Sequence, residues 1–87
     1  MRLDKFLQVA RLLRRRALAK EACLAGRVRV NGRTAKPGTE IKAGDVVVID
    51  WGHRVLEIEV VRAGPASKAE ASSLYRVLRD SRQDLSS

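Results

Sequence analysis

The chain has 87 residues, which is enough for one domain with a thin core but leaves little apolar surface for an enclosed active site. Aromatic residues make up only 3% of the sequence, which argues against reading unpaired bases on a platform of exposed aromatic side chains. The formal net charge is +8, and a charge of this size and sign points to a partner rich in phosphate.

The positive charge is concentrated in the first half of the chain. Residues 1–36 contain 11 Lys and Arg against 2 Asp and Glu, whereas residues 37–87 contain 7 against 8. The first half is therefore expected to carry the binding surface, and the second half to act as a nearly neutral scaffold.

The residue types also point to a compartment. The single cysteine, Cys23, cannot form an intramolecular disulfide, so the sequence fits a reducing compartment, and we expect the thiol to be packed in the core. The first 16 residues carry charges throughout and are not expected to be a signal peptide. No run approaches the roughly 20 apolar residues that a membrane-spanning helix needs.

Two helices are predicted at the start of the chain. The first has apolar residues at the spacing of one helical face, namely Leu3, Phe6, Leu7, Ala10 and Leu13. The second is predicted over residues 16–25 with Gly26 as its left-handed terminator, and its buried stripe is predicted to be Ala17, Leu18, Ala22 and Ala25. Arg16 and Lys20 share one face near its N-terminus, where an anion is favoured.

A sheet is predicted to follow. Residues 27–30 alternate arginine and valine before Asn31-Gly32, which predicts a hairpin with the valines inward and the arginines outward. Further strands are predicted near 39–41 and over 46–50 and 54–61, with Trp51 covering the sheet core. Glu57 and Glu59 give the last of these strands an acidic outer face that is not expected to bind a polyanion.

The C-terminal region is predicted to be helical. Ser67 and Glu70 have the spacing of a capping box, and an amphipathic helix is predicted to end near Arg79, with Tyr75 packing it onto the sheet. Residues 80–87 are predicted to be polar and frayed. The elements predict an α+β fold of two N-terminal helices on a small, mostly antiparallel sheet of four to five strands, plus a short C-terminal helix. Residues 1–62 would form the binding unit, and residues 63–87 a helix and tail of the same unit.

Residues 2–50 resemble the RNA-binding domain first described in ribosomal small-subunit protein four, here called the S-four domain. The resemblance is carried by RLDKFL, the basic RRR-ALAKE segment, the G-x-V-x-VNG hairpin and a later GD before a valine run. It implies an S-four-like (αL motif) fold that binds structured RNA.

Over its whole length the chain is similar to the RqcP family of small stand-alone bacterial S-four proteins, including the VVVIDWGHRVLEIEV and LYRVL segments. This resemblance implies a cytoplasmic, monomeric factor of ribosome-associated quality control. Such a factor binds the large ribosomal subunit carrying peptidyl-tRNA, contacts rRNA and tRNA, and supports C-terminal alanine tailing of stalled chains by a partner factor on the same subunit. The related heat-shock S-four proteins recycle free large subunits carrying nascent chains. They usually have a longer basic C-terminal extension, so they fit this chain less well.

The candidate RNA-binding residues are mostly cations of the first half, with an orienting aspartate and a turn asparagine. They are Arg2, Asp4, Lys5, Arg11, Arg14, Arg15, Arg16, Lys20, Arg27, Arg29, Asn31 and Arg33. Arg16 ranks first and Arg2 second, because the family pattern has arginine at both positions and a guanidinium can hold two phosphate oxygens. Asp4 is predicted to orient a nearby arginine, and these cations are predicted to lie on one side of the molecule.

Catalysis, metal binding and cofactor binding are not expected. Cys23 and His53 do not have the spacing of zinc ligands. S-four domains also precede pseudouridine synthase domains, but 87 residues leave no room for such a catalytic domain. A helix-turn-helix that binds duplex DNA is a further alternative, although the link between the helices lacks the usual glycine-bearing turn.

Overall fold

The structure is a computed structural model and describes residues 1–82. Two short helices pack against one face of a five-stranded sheet. The elements are α1 (Leu3–Val9), α2 (Arg16–Leu24), β1 (Val28–Val30), β2 (Arg33–Thr34), β3 (Val46–Asp50), β4 (Arg54–Val60), a 3₁₀ helix (Lys68–Leu74) and β5 (Tyr75–Arg82). The strand order is β2-β1-β3-β4-β5 and every neighbouring pair is antiparallel. The predicted α+β fold class is confirmed.

The core lies between the helices and the inner face of the sheet. Its largest fully buried side chains are Phe6, Leu3, Leu7, Ile41, Ile49, Ile58, Leu74, Val28, Val47 and Val60. Residues with period-two spacing on β1, β3 and β4 supply the sheet side, because alternate side chains of a strand point to the same face. Trp51 and Tyr75 are half-buried against this core.

The first helix is shorter than predicted, because it ends at Val9 and not at Leu13. Arg11 adopts the left-handed conformation with a φ of 58°. The N–H groups of Arg11 and Leu12 donate to the carbonyls of Gln8 and Leu7, each over 3.0 Å, which is the Schellman pattern of a helix C-terminus. Glycine usually occupies this left-handed position. Because residue 11 is an arginine, its residue type does not predict that the helix ends here.

The second helix ends as predicted, but its buried face is different. Gly26 has a φ of 75°, and its N–H donates to the carbonyl of Cys23 over 3.0 Å. The buried residues of α2 are Ala19 and Cys23, so the prediction of a packed cysteine is confirmed. The predicted stripe is wrong, since Ala17, Leu18 and Ala25 are exposed and Ala22 is half-buried. Small residues occur all round this helix, so spacing alone could not identify the packed side.

The predicted hairpin is confirmed and is tied to the start of β3. Asn31 and Gly32 both have positive φ values, of 52° and 84°, as a two-residue hairpin turn requires. The Asn31 amide donates to Asp45 Oδ1 over 3.1 Å and accepts from the Val46 N–H over 2.9 Å. The VNG and GD motifs are therefore hydrogen-bonded to each other, and Asn31 links the hairpin turn to the start of β3.

The strand predicted near residues 39–41 is reduced to a single bridge between Arg2 and Glu40. This segment instead covers the start of α1. The N–H groups of Leu3 and Asp4 donate to the carbonyls of Thr39 and Pro37 over 2.8 and 3.1 Å. These bonds satisfy two of the N–H groups that the first turn of a helix leaves unpaired.

The C-terminal region contains a strand where a helix was predicted. The capping box at Ser67 and Glu70 is present, but it opens a 3₁₀ helix that ends at Leu74. Tyr75–Arg82 then forms β5 along β4, so the predicted helix as far as Arg79 is wrong. Leu78 is 46% exposed and does not belong to a buried helical face. Pairing with β4 satisfies the backbone of this segment, and the sequence pattern did not reveal that partner.

Residues 80–82 belong to β5, so the prediction of a frayed tail is wrong for them, and residues 83–87 lie outside the described part of the chain. Within residues 1–82, no helix is long and apolar enough to cross a membrane.

Candidate nucleic-acid interface

A buried aspartate holds two arginines that lie at the starts of two different helices. Asp4 lies in the first turn of α1, and its side chain is 3% exposed. Its Oδ1 accepts from Arg2 Nε over 3.2 Å and from the Lys5 N–H over 2.8 Å, and its Oδ2 lies 3.4 Å from Arg16 Nε. Because Arg2 precedes α1 and Arg16 begins α2, the carboxylate fixes the two helix starts relative to each other. We call Arg2, Asp4 and Arg16 the arginine cluster.

The arginine cluster keeps a net positive charge. Burial raises the pKa of the Asp4 carboxyl, but the contacts from Arg2, Arg16 and the Lys5 backbone outweigh burial and hold that pKa below its ordinary value. Asp4 is therefore ionised at neutral pH and cancels one of the two guanidinium charges. The side chains of Arg2 and Arg16 remain 53% and 46% exposed. Both guanidinium groups can still donate to an anion from solvent.

The backbone beside Arg2 adds to this arrangement. A Cβ atom at Gly38 would lie 3.6 Å from Arg2 Nη2, so the chain passes close to the guanidinium there. Lys20 follows Arg16 by one turn of α2 and is exposed, which puts its ammonium group on the same side of that helix. Arg16 and Arg2, the two highest-ranked candidates, are thus brought together, as predicted.

A second group of cations surrounds the end of α1. Lys5, Arg11 and Arg14 line a polar depression of about 210 Å³ together with Lys68 from the 3₁₀ helix. Sequence reasoning missed Lys68, because it lies in the half of the chain with no net positive charge. No local signal predicts that the 3₁₀ helix returns to α1. We call these four residues the basic depression.

Arg27 and Arg29 lie on the outer face of the sheet, so the prediction that all the cations share one side of the molecule is wrong for these two. Arg29 alternates with the buried Val28 and Val30, and it points away from the face that the helices cover. With Arg27 and Arg79 it lines a separate groove of about 480 Å³ on the outer face of the sheet. The alternation of β1 predicts that Arg29 points away from the core. Only the tertiary structure shows that this direction is opposite to the face on which the helices pack.

The remaining candidate residues are exposed and line neither the arginine cluster nor the two depressions. Arg15 precedes α2, Arg33 begins β2, and both are exposed. The Asn31 amide is engaged by Asp45 and Val46, as described above. His53 is exposed in the β3–β4 connection. Over residues 1–82, the structure shows no group of His, Cys, Asp and Glu that could hold a metal ion.

Comparison with known proteins shows the family. The S4 domain, which is the S-four domain of the sequence analysis, matches residues 1–47. The chain is 49% identical over 81 residues to the RQC P-site tRNA stabilizing factor of Halalkalibacterium halodurans, covering 92% of each chain. It is 46% identical over 85 residues to the protein of that name from Listeria innocua, covering 97% of this chain and 92% of the relative.

A solved structure extends the comparison to the fold. The trimeric structure of Vibrio cholerae Heat Shock Protein 15 superposes with a TM-score of 0.81 at 33% identity, covering 88% of this chain and 80% of that chain. The arginine cluster, the basic depression and the VNG hairpin fall largely within the matched domain, and the similarity to the first two relatives continues beyond it. The chain belongs to the S4 domain family and, within it, to the family of RQC P-site tRNA stabilizing factors, as the resemblance to RqcP predicted.

Proposed function

We propose that this protein is a non-catalytic, ribosome-associated RNA-binding factor. It binds the large ribosomal subunit that carries peptidyl-tRNA after stalling, and contacts both rRNA and tRNA. By holding the tRNA in place, it supports C-terminal alanine tailing of the trapped nascent chain by a partner factor on the same subunit. The protein acts in the cytoplasm as a monomer.

The observation that carries this proposal is the arginine cluster. Two guanidinium groups are held side by side by one buried carboxylate, yet each is about half exposed and the cluster has net positive charge. A planar guanidinium with free N–H groups can hold two oxygens of a phosphate. Because the carboxylate already fixes both side chains, little conformational entropy is lost when the RNA backbone is bound.

The surrounding cations support a long RNA ligand. Lys20 lies one turn along α2 from Arg16, and the basic depression adds four cations around α1, so several phosphates can be contacted at once. Structured RNA is recognised mostly by its shape, its phosphates and its 2′-hydroxyls, which suits a rigid surface with few aromatic residues. The names of the relatives in Halalkalibacterium and Listeria support a tRNA in the ribosomal P site as one of the ligands.

A second candidate function is recycling of free large subunits that carry nascent chains, which the resemblance to heat-shock S-four proteins implies. The structural likeness to the Vibrio cholerae protein favours it. The two functions differ in the partner that accompanies the protein, because only the first requires a factor that adds alanine tails.

The proposal is tested by co-sedimentation with large subunits from lysate, followed by identification of the bound RNAs and proteins. We expect the wild type to co-sediment with large subunits, peptidyl-tRNA and an alanine-tailing factor. Arg16→Ala should lose most of this binding while its circular dichroism spectrum stays unchanged. Lys42→Ala removes the same charge from an exposed loop and is the matched control. Unchanged co-sedimentation of Arg16→Ala would contradict the proposal, and binding without the tailing factor would favour subunit recycling.

A further inference from the structure

The groove on the outer face of the sheet is a second candidate site, separate from the arginine cluster. We call it the sheet-face groove and define it by Arg27, Arg29, Val48, Asp50, Val55 and Arg79. Its volume is about 480 Å³. It lies on the side of the sheet that the helices do not cover. Outward positions in register across β1, β3, β4 and β5 are occupied by Arg29, Val48, Glu57 and Arg79.

Strand β5, where a helix was predicted, forms one side of this groove. From sequence alone, Glu57 and Glu59 predict an acidic outer face on β4. In the structure β5 runs beside β4, so Arg79 is the cross-strand neighbour of Glu57 and Arg76 forms an ion pair with Glu59. The stripe of carboxylates is thereby flanked by guanidinium groups, and the outer face is no longer acidic.

The charged groups of the groove are available for a ligand. Within residues 1–82, the side chains of Arg27, Arg29 and Arg79 form no hydrogen bond or ion pair with the protein. Two carboxylates face them: Glu57 across from Arg79, and Asp50 at the end of β3. Asp50 Oδ1 accepts from the Gly52 N–H over 2.7 Å, and its Oδ2 has no hydrogen-bond partner in the described part of the chain.

The apolar part of the groove is formed by two side chains. Val48 and Val55 lie on neighbouring strands and are only partly exposed. Together with the arginines they form a surface on which a planar base can lie, since guanidinium groups and apolar side chains both pack against the faces of bases. A phosphate anion alone would leave this part of the groove uncovered.

We propose that the sheet-face groove binds an unpaired nucleotide of a second RNA segment. Arg27, Arg29 and Arg79 contact its phosphates, Val48 and Val55 contact its base, and Asp50 Oδ2 accepts from its ribose 2′-hydroxyl. A carboxylate is a suitable acceptor for that hydroxyl, which is the group that distinguishes RNA from DNA. The inference rests on the proposed function, because a factor that contacts two RNAs on a ribosomal subunit needs two separate surfaces.

The test is a titration of the ¹⁵N-labelled full chain with a short single-stranded RNA of mixed sequence. We expect amide shifts at Val48 and at Gly26 and Gly52, which also line the groove. These shifts should persist in Arg2→Ala/Arg16→Ala, which disables the arginine cluster. At a given RNA concentration they should be much smaller in Arg29→Ala/Arg79→Ala, because groove binding is about tenfold weaker. The slope of log affinity against log salt should fall by about 1.4 in magnitude, as expected for two lost phosphate contacts.

The matched control is Lys42→Ala/Arg82→Ala, which removes the same charge from positions that do not line the groove and should keep the shifts. Absence of groove shifts in the wild type would overturn the inference, as would an unchanged affinity in Arg29→Ala/Arg79→Ala. Equal binding of the DNA of the same sequence would overturn the assignment to a ribonucleotide. A polyglutamate peptide that shifts the groove amides when RNA does not would assign the groove to a protein partner instead. The proposed function fails separately, if Arg16→Ala co-sediments normally with large subunits.

Discussion

Arg16 Nε lies 3.4 Å from Asp4 Oδ2, and this contact joins the first residue of α2 to the first turn of α1. The same carboxylate also accepts from Arg2. Asp4 is therefore a positioning residue for both guanidinium groups. Its negative charge thus belongs to the same surface that we propose binds the RNA backbone.

This relationship predicts an effect opposite to simple electrostatics. Asp4→Asn makes the protein more positive, yet we expect it to weaken binding to large subunits about tenfold, because the two arginines are no longer held in place. Glu21→Gln is the control, since it adds the same charge from an exposed position of α2 and should bind as well as the wild type or slightly better. Tighter binding by Asp4→Asn would show that the carboxylate does not position the arginines.

Asp4 also predicts how stability depends on pH. The pKa of its carboxyl is lower in the folded chain than its ordinary value, so its ionised form stabilises the fold above that ordinary value, and the contribution is lost as the pH falls through the folded pKa. At pH 7 we expect Asp4→Asn to be about 1–3 kcal/mol less stable than the wild type, because charged hydrogen bonds to a buried group are lost.

In acid this difference should shrink, because the wild-type carboxyl becomes protonated as well. Urea unfolding of both proteins at neutral pH and at about pH 2, well below the ordinary aspartate pKa of about 3.9, measures the change. A stability difference that is the same at both pH values would contradict the role given to the ionised carboxylate.

The left-handed Arg11 predicts a conflict between stability and binding. A non-glycine residue with a φ of 58° is strained, so Arg11→Gly should stabilise the fold by about 0.5–1 kcal/mol. Arg11→Ala keeps the strain and should show no such gain. Both variants remove a cation from the basic depression and should bind large subunits more weakly. Thermal unfolding and co-sedimentation of the pair separate the backbone effect from the side-chain effect, and equal stabilities would refute the strain.

Cys23 should react slowly with thiol reagents. Burial raises the pKa of its thiol to about 11, with a smaller contribution from the charge of Asp4. Relative to the ordinary value of 9.0, this shift lowers the thiolate fraction at pH 8 about 100-fold. The double variant Cys23→Ala/Leu24→Cys is the control, because position 24 is 69% exposed. Disulfide-exchange reagents should label the control rapidly, and rapid labelling of the native wild type would argue against the packing of α2.

The link between β4 and β5 can be tested through Arg54. Its guanidinium donates twice to Asp80, each over 2.9 Å, and lies 5.3 Å from the centre of the Trp51 ring. We expect Asp80→Asn to speed hydrogen exchange at the end of β5 and to change Trp51 fluorescence, without lowering the unfolding midpoint much. Unchanged exchange in β5 would show that the ion pair does not hold the strand.

Local signals predicted much of the fold. The Asn31-Gly32 turn, the Gly26 helix end and the alternating strands β1, β3 and β4 all follow from residue types and spacing, and the structure contains them. The end of α1 could not be predicted, because Arg11 adopts a conformation that its sequence does not favour. Residues 75–82 form a strand because β4 offers an unpaired edge, and that tertiary partner overrides the helical spacing.

The candidate site was predictable to a similar extent. Charge asymmetry and the S-four resemblance indicated Arg2, Asp4 and Arg16, and the structure brings these three together. Lys68 and Arg79 were not indicated, because each joins its cationic neighbours only through a long-range return of the chain. The division of the basic residues between two faces likewise depends on where the helices pack, which charge counts do not encode.

The outer strand β5 has a consequence for how copies of this protein behave in a crowded solution. Over residues 1–82, this eight-residue strand at the end of the sheet presents unpaired amide and carbonyl groups, and another chain could extend such an edge into a fibril. Here Arg76, Arg79 and Arg82 line that strand and an irregularity interrupts its register at Glu57 and Ile58. The positive charge of these side chains and the distorted register oppose edge-to-edge stacking of two copies along β5.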